Sequence, residues 1–372
     1  MTEIARTDAG SVSSGVVPGV GIGFAAATMA AMIVPIRRGV DDPAVWVGAA
    51  FAVVAVVAFL ADRHFGLERR LAAGVAAASS AVVVMLAGYA LNQGVAASIA
   101  LPAVPWSISL VFVAFCTAGL AVSVGVAHFF GIDGYGLKER SVQTATLSVL
   151  GLGGLIAAQF ATVAVALPAM AAFGSLSLVQ LVVVSQIGMA LGTGAVAIGY
   201  LVIREYGFSY IDLHVPTKRD LLWIVAGIFV LFGALFLISA VFYTTGIESS
   251  DHGTAQQAQE NPEILLVLIP ASLLIIGPFE ELLYRNVIQK ALYGTFSRYG
   301  AVVVGSVIFA AVHVLAYGTA GAGEVIASLG VIFGLSLVLG TIYERTENLV
   351  VPAIIHGIYN AILFANLYAM YA

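Results

Sequence analysis

The feature that most constrains this chain is a series of apolar runs, recurring from one end to the other, each about 18 residues or longer. A run of that length crosses the ~30 Å hydrocarbon core of a bilayer as a helix. Inside that core only helices and closed barrels satisfy their own backbone polar groups. Charged residues are 9% of the 372 and apolar residues 61%, too little charge to cover the surface of a water-soluble protein. The expectation is an all-α, polytopic transmembrane helical bundle of about eleven spans. They fall at roughly 15–36, 43–61, 71–91, 104–129, 142–170, 177–203, 220–243, 263–284, 300–317, 324–343 and 349–371. The first is longer than a signal-peptide core and is read as an uncleaved span.

The distribution of Lys and Arg gives an orientation. With the N-terminus and every second loop placed on one side, all of the 15 basic residues except Arg37 and Arg38 fall on that side. The positive-inside rule makes it the cytosol, which puts the N-terminus inside and the C-terminus outside. The polar loop Thr244 to Pro262 carries acidic residues and no Lys or Arg, in keeping with an external position. No basic block points to nucleic acid or to an anionic-lipid patch. The lone Cys116 excludes a disulfide framework and reads as a small core residue. Small-xxx-small spacings at Gly15/Gly19/Gly23 and Gly188/Gly192 read as close helix packing. There is no internal repeat of the inverted-repeat transporter kind.

Two regions follow. Residues 1–141 hold four spans nearly free of buried ionisable groups, with His128 at a span end and no role to assign. Residues 142–372 hold about seven spans, and the polar chemistry gathers in the last four. Charge at membrane depth costs roughly 2.5–3.5 kcal/mol per residue on insertion scales, so its exceptions are informative. The first is Pro278-Phe279-Glu280-Glu281-Leu282-Leu283-Tyr284-Arg285. Glu281 and Arg285 lie one turn apart and can pair, while Glu280 points about 100° away and is left free. The second is His313, four residues after Phe309; the third is His356 with Asn360, at i and i+4 on one face. Each alone reads equally as snorkelling charge or as polar glue between helices. Together they lie at compatible depths, with His356 roughly 10 Å from the inner surface at ~1.5 Å per residue. His313 falls near mid-membrane, and the three meet in an inner-half cavity reached from the cytosol.

In that order, E-E-x-x-x-R, F-x-x-x-H and H-x-x-x-N resemble the CAAX-protease and bacteriocin-processing family of intramembrane endopeptidases, which includes the type II CAAX prenyl endopeptidases. Tyr210…Pro216-Thr217…Asp220 and the run from Gly340 to Leu349 are also similar to segments of that family. The likeness covers roughly residues 145–372, and the first four spans have no counterpart in the minimal family core.

The resemblance implies a catalytic set of Glu280, Glu281, Arg285, His313, His356 and Asn360. Glu280 with His313 would activate water as general base. Arg285 would hold Glu281, and His356 with Asn360 would stabilise the oxyanion. The family has been described both as glutamic and as metallo; the metal-free form is preferred because no H-E-x-x-H pair is present. Glu280, His313 and His356 are the ligands if zinc is used. The substrate implied is a membrane-anchored or prenylated protein or peptide, with the lipid bilayer as the other partner and no nucleic acid. A proton-coupled transporter or channel and a non-catalytic immunity or scaffold protein are the alternatives.

Overall fold

The computed structural model describes residues 15–100 and 105–372. It is helical almost throughout: α1 Val16–Arg37, α2 Pro43–Phe65, α3 Arg69–Asn92, α4 Leu110–Phe129, α5 Gly134–Phe173, α6 Leu178–Ile203 and α7 Lys218–Thr245. There follow a short α8 Gly253–Glu260, then α9 Pro262–Leu292, α10 Arg298–Val312, α11 Val314–Tyr317, α12 Ala322–Thr346 and α13 Val350–Tyr371. Among the described residues ten helices are long and apolar enough to cross a membrane. This is an integral, multi-pass membrane protein.

The termini follow local chemistry. Asp42 caps α2 by accepting from Val45 N, Pro43 opens the helix, and Gly66 closes it in the left-handed region at φ 69°. Ser177/Gln180 and Thr217/Asp220 form capping boxes at the starts of α6 and α7.

Two expected spans differ. The fourth begins at Leu110 rather than 104, because Ser98–Ala100 and Ser107–Ser109 pair as a short antiparallel hairpin and Ser109 caps the helix. The expected start at 104, like Arg6, lies outside the described residues. The ninth is shorter than expected. α10 is only 15 residues and stops at His313, where φ −76° and ψ −5° end the regular helix before the single turn of α11. At ~1.5 Å per residue it is shorter than the hydrocarbon core.

The chain divides into two compact units. The first contains α1–α4, packed on one another around Met32, Val45, Val83 and Val111. Of the Gly15/Gly19/Gly23 spacing Gly19 meets a neighbour, the Arg63 guanidinium, while Gly15 and Gly23 face open space; a methyl on Gly21 would strike the Phe59 ring. At the end of α4, His128 Nε2 lies 2.7 Å from the Asp62 carboxylate.

The second unit holds most of α5, then α6–α11, most of α12, and α13. Its cores are built on Leu283, Tyr284, Val287, Ile288 and Phe309, and on Leu231, Leu339, Val351 and Ile355. Gly188 and Gly192 bring α6 onto the backbone of α5 at Thr162 and Ala158, an approach that any side chain would block.

Candidate active site

The site is made where α9 crosses α13. A Cβ on Gly277 would lie 2.5 Å from Ala353 O, and one on Gly357 would lie 2.7 Å from Ser272 O. The two glycines therefore let backbone meet backbone, and this contact sets Glu280 and Glu281 beside His356. Around the crossing α9 widens into π-turns at Ser272–Ile276 and Leu282–Gln289. Pro278 lacks an N–H and crowds the turn before it, where the first of these lies.

Glu281 and Arg285 are both fully buried, and Arg285 Nε donates to Glu281 Oε2 at 2.8 Å. Arg285 Nη1 donates to Ser336 Oγ at 3.0 Å, and its guanidinium lies 4.8 Å from the centre of the Phe309 ring. The other Glu281 oxygen accepts from His356 Nδ1 at 3.0 Å. His356 Nε2 faces the Glu280 carboxylate at 3.8 Å. Glu280, about 100° round the helix from Glu281, faces this ring without a hydrogen bond, so the two carboxylates straddle one imidazole. The glycine crossing brings the three together.

Phe309 is the hub of the remaining geometry. Its ring centre is 4.5 Å from that of His313, 6.1 Å from that of His356 and 5.0 Å from that of Tyr284. His313 Nδ1 donates to Phe309 O at 2.7 Å, which leaves Nε2 as the free ring nitrogen. Glu280, His313 and Asn360 are half-buried.

On the side of the basic loops, Asn286 and Gln289 are fully buried. Below them a polar layer closes the bundle. Lys290 Nζ is 2.7 Å from Asp212 Oδ1, Tyr343 donates to Asp212 Oδ2 at 2.5 Å, and Asn286 Oδ1 accepts from Asp212 N at 2.8 Å. The Tyr210–Asp220 and Gly340–Leu349 segments meet in this layer, joined by Leu349 N to Asp212 O and by Asn348 to His214 O.

On the opposite side the site reaches a segment that sequence reasoning left out of it. The His252 ring stands edge-on to Tyr317 with centres 5.0 Å apart, and Thr319 Oγ1 donates to Asp251 O at 2.7 Å. Burial, and then the neighbouring His313, push the His252 imidazole down to about 4. Tyr317 is within electrostatic range of both Glu280 and Asp251. Neither His252 nor Tyr317 belongs to a motif, so only the chain's return over the site reveals them. Gly277 and Gly357 were also missed; their signal is a small residue adjoining each polar motif.

The residues proposed for zinc were Glu280, His313 and His356. Glu280 and His356 approach each other, but among the described residues no group of three His, Cys, Asp or Glu side chains is placed to hold a metal. Two ligands fall short of the three that an open zinc site uses.

Residues 262–362 match the family model described as Rce1-like, type II CAAX prenyl endopeptidase Rce1-like. That segment, which carries all three motifs, is similar to the CAAX-protease family, and the class of protein it indicates is a membrane-embedded peptidase. No curated protein and no solved structure gives a significant match to the chain.

Proposed function

We propose that the protein is an intramembrane endopeptidase that hydrolyses a peptide bond of a membrane-associated substrate, a CAAX-type C-terminal tail or similar, with metal-free chemistry. The observation that carries this reading is the pair of adjacent carboxylates on one imidazole, with one carboxylate locked and the other partly open. Glu281 is held by Arg285 and His356 and has no freedom to act on a substrate. Glu280 faces the same ring at longer range and remains half-buried.

In the reaction, Glu280 takes a proton from a water held between it and the free Nε2 of His313, and the water oxygen attacks the scissile carbonyl. His356, when it carries both ring protons, and the Asn360 amide donate to the developing oxyanion, in a site already ordered before reaction. Glu280 then returns its proton to the leaving amine as the C–N bond breaks. Arg285 and Glu281 act by orienting His356.

Incubation of the detergent-purified protein with a prenylated CAAX-type peptide, with products read by mass spectrometry, tests the substrate class. Cleavage inside the tail supports it. An intact peptide, beside cleavage of other membrane-anchored segments, would remove prenylated tails as the substrate.

A further inference from the structure

We infer that the wedge between α9, α10 and α12 is an internal water site. Ordered water there bridges Arg285 Nη2, Gln289 Oε1 and Ser306 Oγ, and completes the hold on the guanidinium that fixes Glu281. The water site stands on packing and polar chemistry; only its effect on turnover rests on the peptidase reading.

The first observation is which polar atoms lack a partner. Buried polar atoms in folded proteins are almost always hydrogen-bonded, to protein or to ordered water. Among the described residues four buried side-chain atoms have no hydrogen-bond partner in the protein. Gln186 Oε1 lies apart on α6; the other three are Arg285 Nη2, Gln289 Oε1 and Ser306 Oγ. None of these three residues has any exposed surface. The guanidinium donates, the amide oxygen accepts and the hydroxyl does either. That set matches a buried water, which typically makes about three hydrogen bonds to groups left unsatisfied by the protein.

The second is that the three atoms face one space. Glu281, Arg285 and Gln289 recur every fourth residue down α9 to Tyr293 just past its end, and Ser336, Gly340 and Glu344 do so on α12. The two rows meet rung by rung. Arg285 Nη1 donates to Ser336 Oγ at 3.0 Å, Gln289 Nε2 to Gly340 O at 3.1 Å, and the Tyr293 hydroxyl to Glu344 Oε2. α10 closes the third side. A Cβ on Gly340 would lie 2.8 Å from Gln289 Oε1 and 3.1 Å from Val302 Cγ1, so the bare glycine leaves that oxygen uncovered. Phe309 lies against the Arg285 guanidinium. Ser306 shares a helical stripe with Val302 and Phe309, four residues after the one and three before the other. It therefore stands between the level of Gln289 and the level of Arg285.

Water in this wedge supplies the missing rung. Arg285 Nε holds Glu281, Nη1 holds Ser336, and water takes Nη2. Beyond it Gln289 Nε2 also donates to the Tyr293 hydroxyl at 3.0 Å, and Glu344 pairs with Arg298 at the basic end. Gln289 and Ser306 are thus positioning residues: they steady Arg285, which steadies Glu281, which orients His356.

Ser306→Thr and Ser306→Val test this in the full chain. The two side chains have nearly the same shape, so packing cancels and their difference isolates the hydroxyl. In a dry wedge that hydroxyl is an unpaired buried group, and Val is then at least as stable as Thr. With bridging water the order reverses, and Ser306→Val is expected to unfold at a lower temperature in detergent than Ser306→Thr. A structure of the wild-type chain that shows ordered solvent is expected to place a water within hydrogen-bond distance of Arg285 Nη2 and of Gln289 Oε1 or Ser306 Oγ. No water there, or Val as stable as Thr, would overturn the water site. With the prenylated peptide, kcat of Ser306→Val is expected to fall about tenfold below that of Ser306→Thr with KM unchanged, the scale of one stranded polar group. Equal kcat for the two would overturn the positioning role. Absence of cleavage by the wild type refutes the peptidase reading alone, since the solvent and the unfolding order are read without substrate.

Discussion

His356 Nδ1 donates to Glu281 Oε1 at 3.0 Å while the other oxygen of that carboxylate accepts from Arg285 Nε at 2.8 Å. One fully buried carboxylate therefore fixes both a cation and the imidazole that faces Glu280. Removing one member leaves the others as uncompensated buried polar groups.

That arrangement predicts a large stability effect. Arg285→Ala strands the Glu281 charge, and the expected loss is about 3–5 kcal/mol. Thermal unfolding in detergent measures it, with Arg285→Lys intermediate because it restores charge without the planar fork. An Arg285→Ala protein as stable as wild type would show that Glu281 is not held as described.

The crossing of α9 and α13 predicts a second effect. Gly357→Ala places a methyl 2.7 Å from Ser272 O and 2.9 Å from Leu273 Cα, both backbone atoms that cannot swing aside. Overpacking of this kind costs ~1–3 kcal/mol, and the helices part where His356 meets the carboxylates. Proteolysis is expected to fall by more than the stability loss explains, and unchanged turnover would contradict this placement.

Much of the architecture is written in the sequence because membrane burial leaves a coarse signal. Apolar length marks α1 to α7, α9, α12 and α13, and the fourfold spacing of Glu281 and Arg285 is enough to suggest a pair. What is not written comes from tertiary approach. Nothing local announces the π-turns on either side of Glu280, or that Gly277 and Gly357 seat α9 against α13, so the meeting of both carboxylates with one imidazole is not readable from spacing. The end of α10 at His313 lies inside an unbroken apolar run, and length alone extends it to 317. His252 and Tyr317 are 65 residues apart in sequence and adjoin only because segment 250–260 folds back beside α11.

The contact at His252 predicts a response to pH. Its imidazole is held near 4, against 6.5 for an ordinary histidine, so the folded arrangement favours the neutral ring. Above about 6.5 both open and closed segments are neutral and the contact is fully stable. As pH falls from there toward 4, the open form takes up the proton first and the contact weakens. The hydrogen-exchange protection of residues 250–260, referred to the intrinsic exchange rate at each pH, is expected to fall over that window, and His252→Gln to remove that fall. Asp251, His313 and Tyr317 share the neighbourhood, so a dependence that survives His252→Gln would assign the titration to one of them.

Metal-free chemistry predicts indifference to strong chelators. Turnover of purified protein is expected to be unchanged after chelation and dialysis. Inactivation that is reversed by added zinc would instead make Glu280, His313 and His356 ligands.

The first unit should be separable from the chemistry, since the proposed catalytic residues all lie in the second. A chain beginning near Lys138 is expected to retain proteolysis once inserted. An inserted but inactive one would make α1–α4 part of the site.

The central claim is that Glu280 is the base that activates water, and one substitution tests it most directly. Glu280→Gln keeps the size of the side chain and a polar amide but removes its basicity. Single-turnover cleavage by the purified variant is expected to fall by about 10²-fold or more, the scale of general acid–base catalysis, while binding of an uncleaved substrate is retained. Near-normal cleavage by Glu280→Gln would contradict the account.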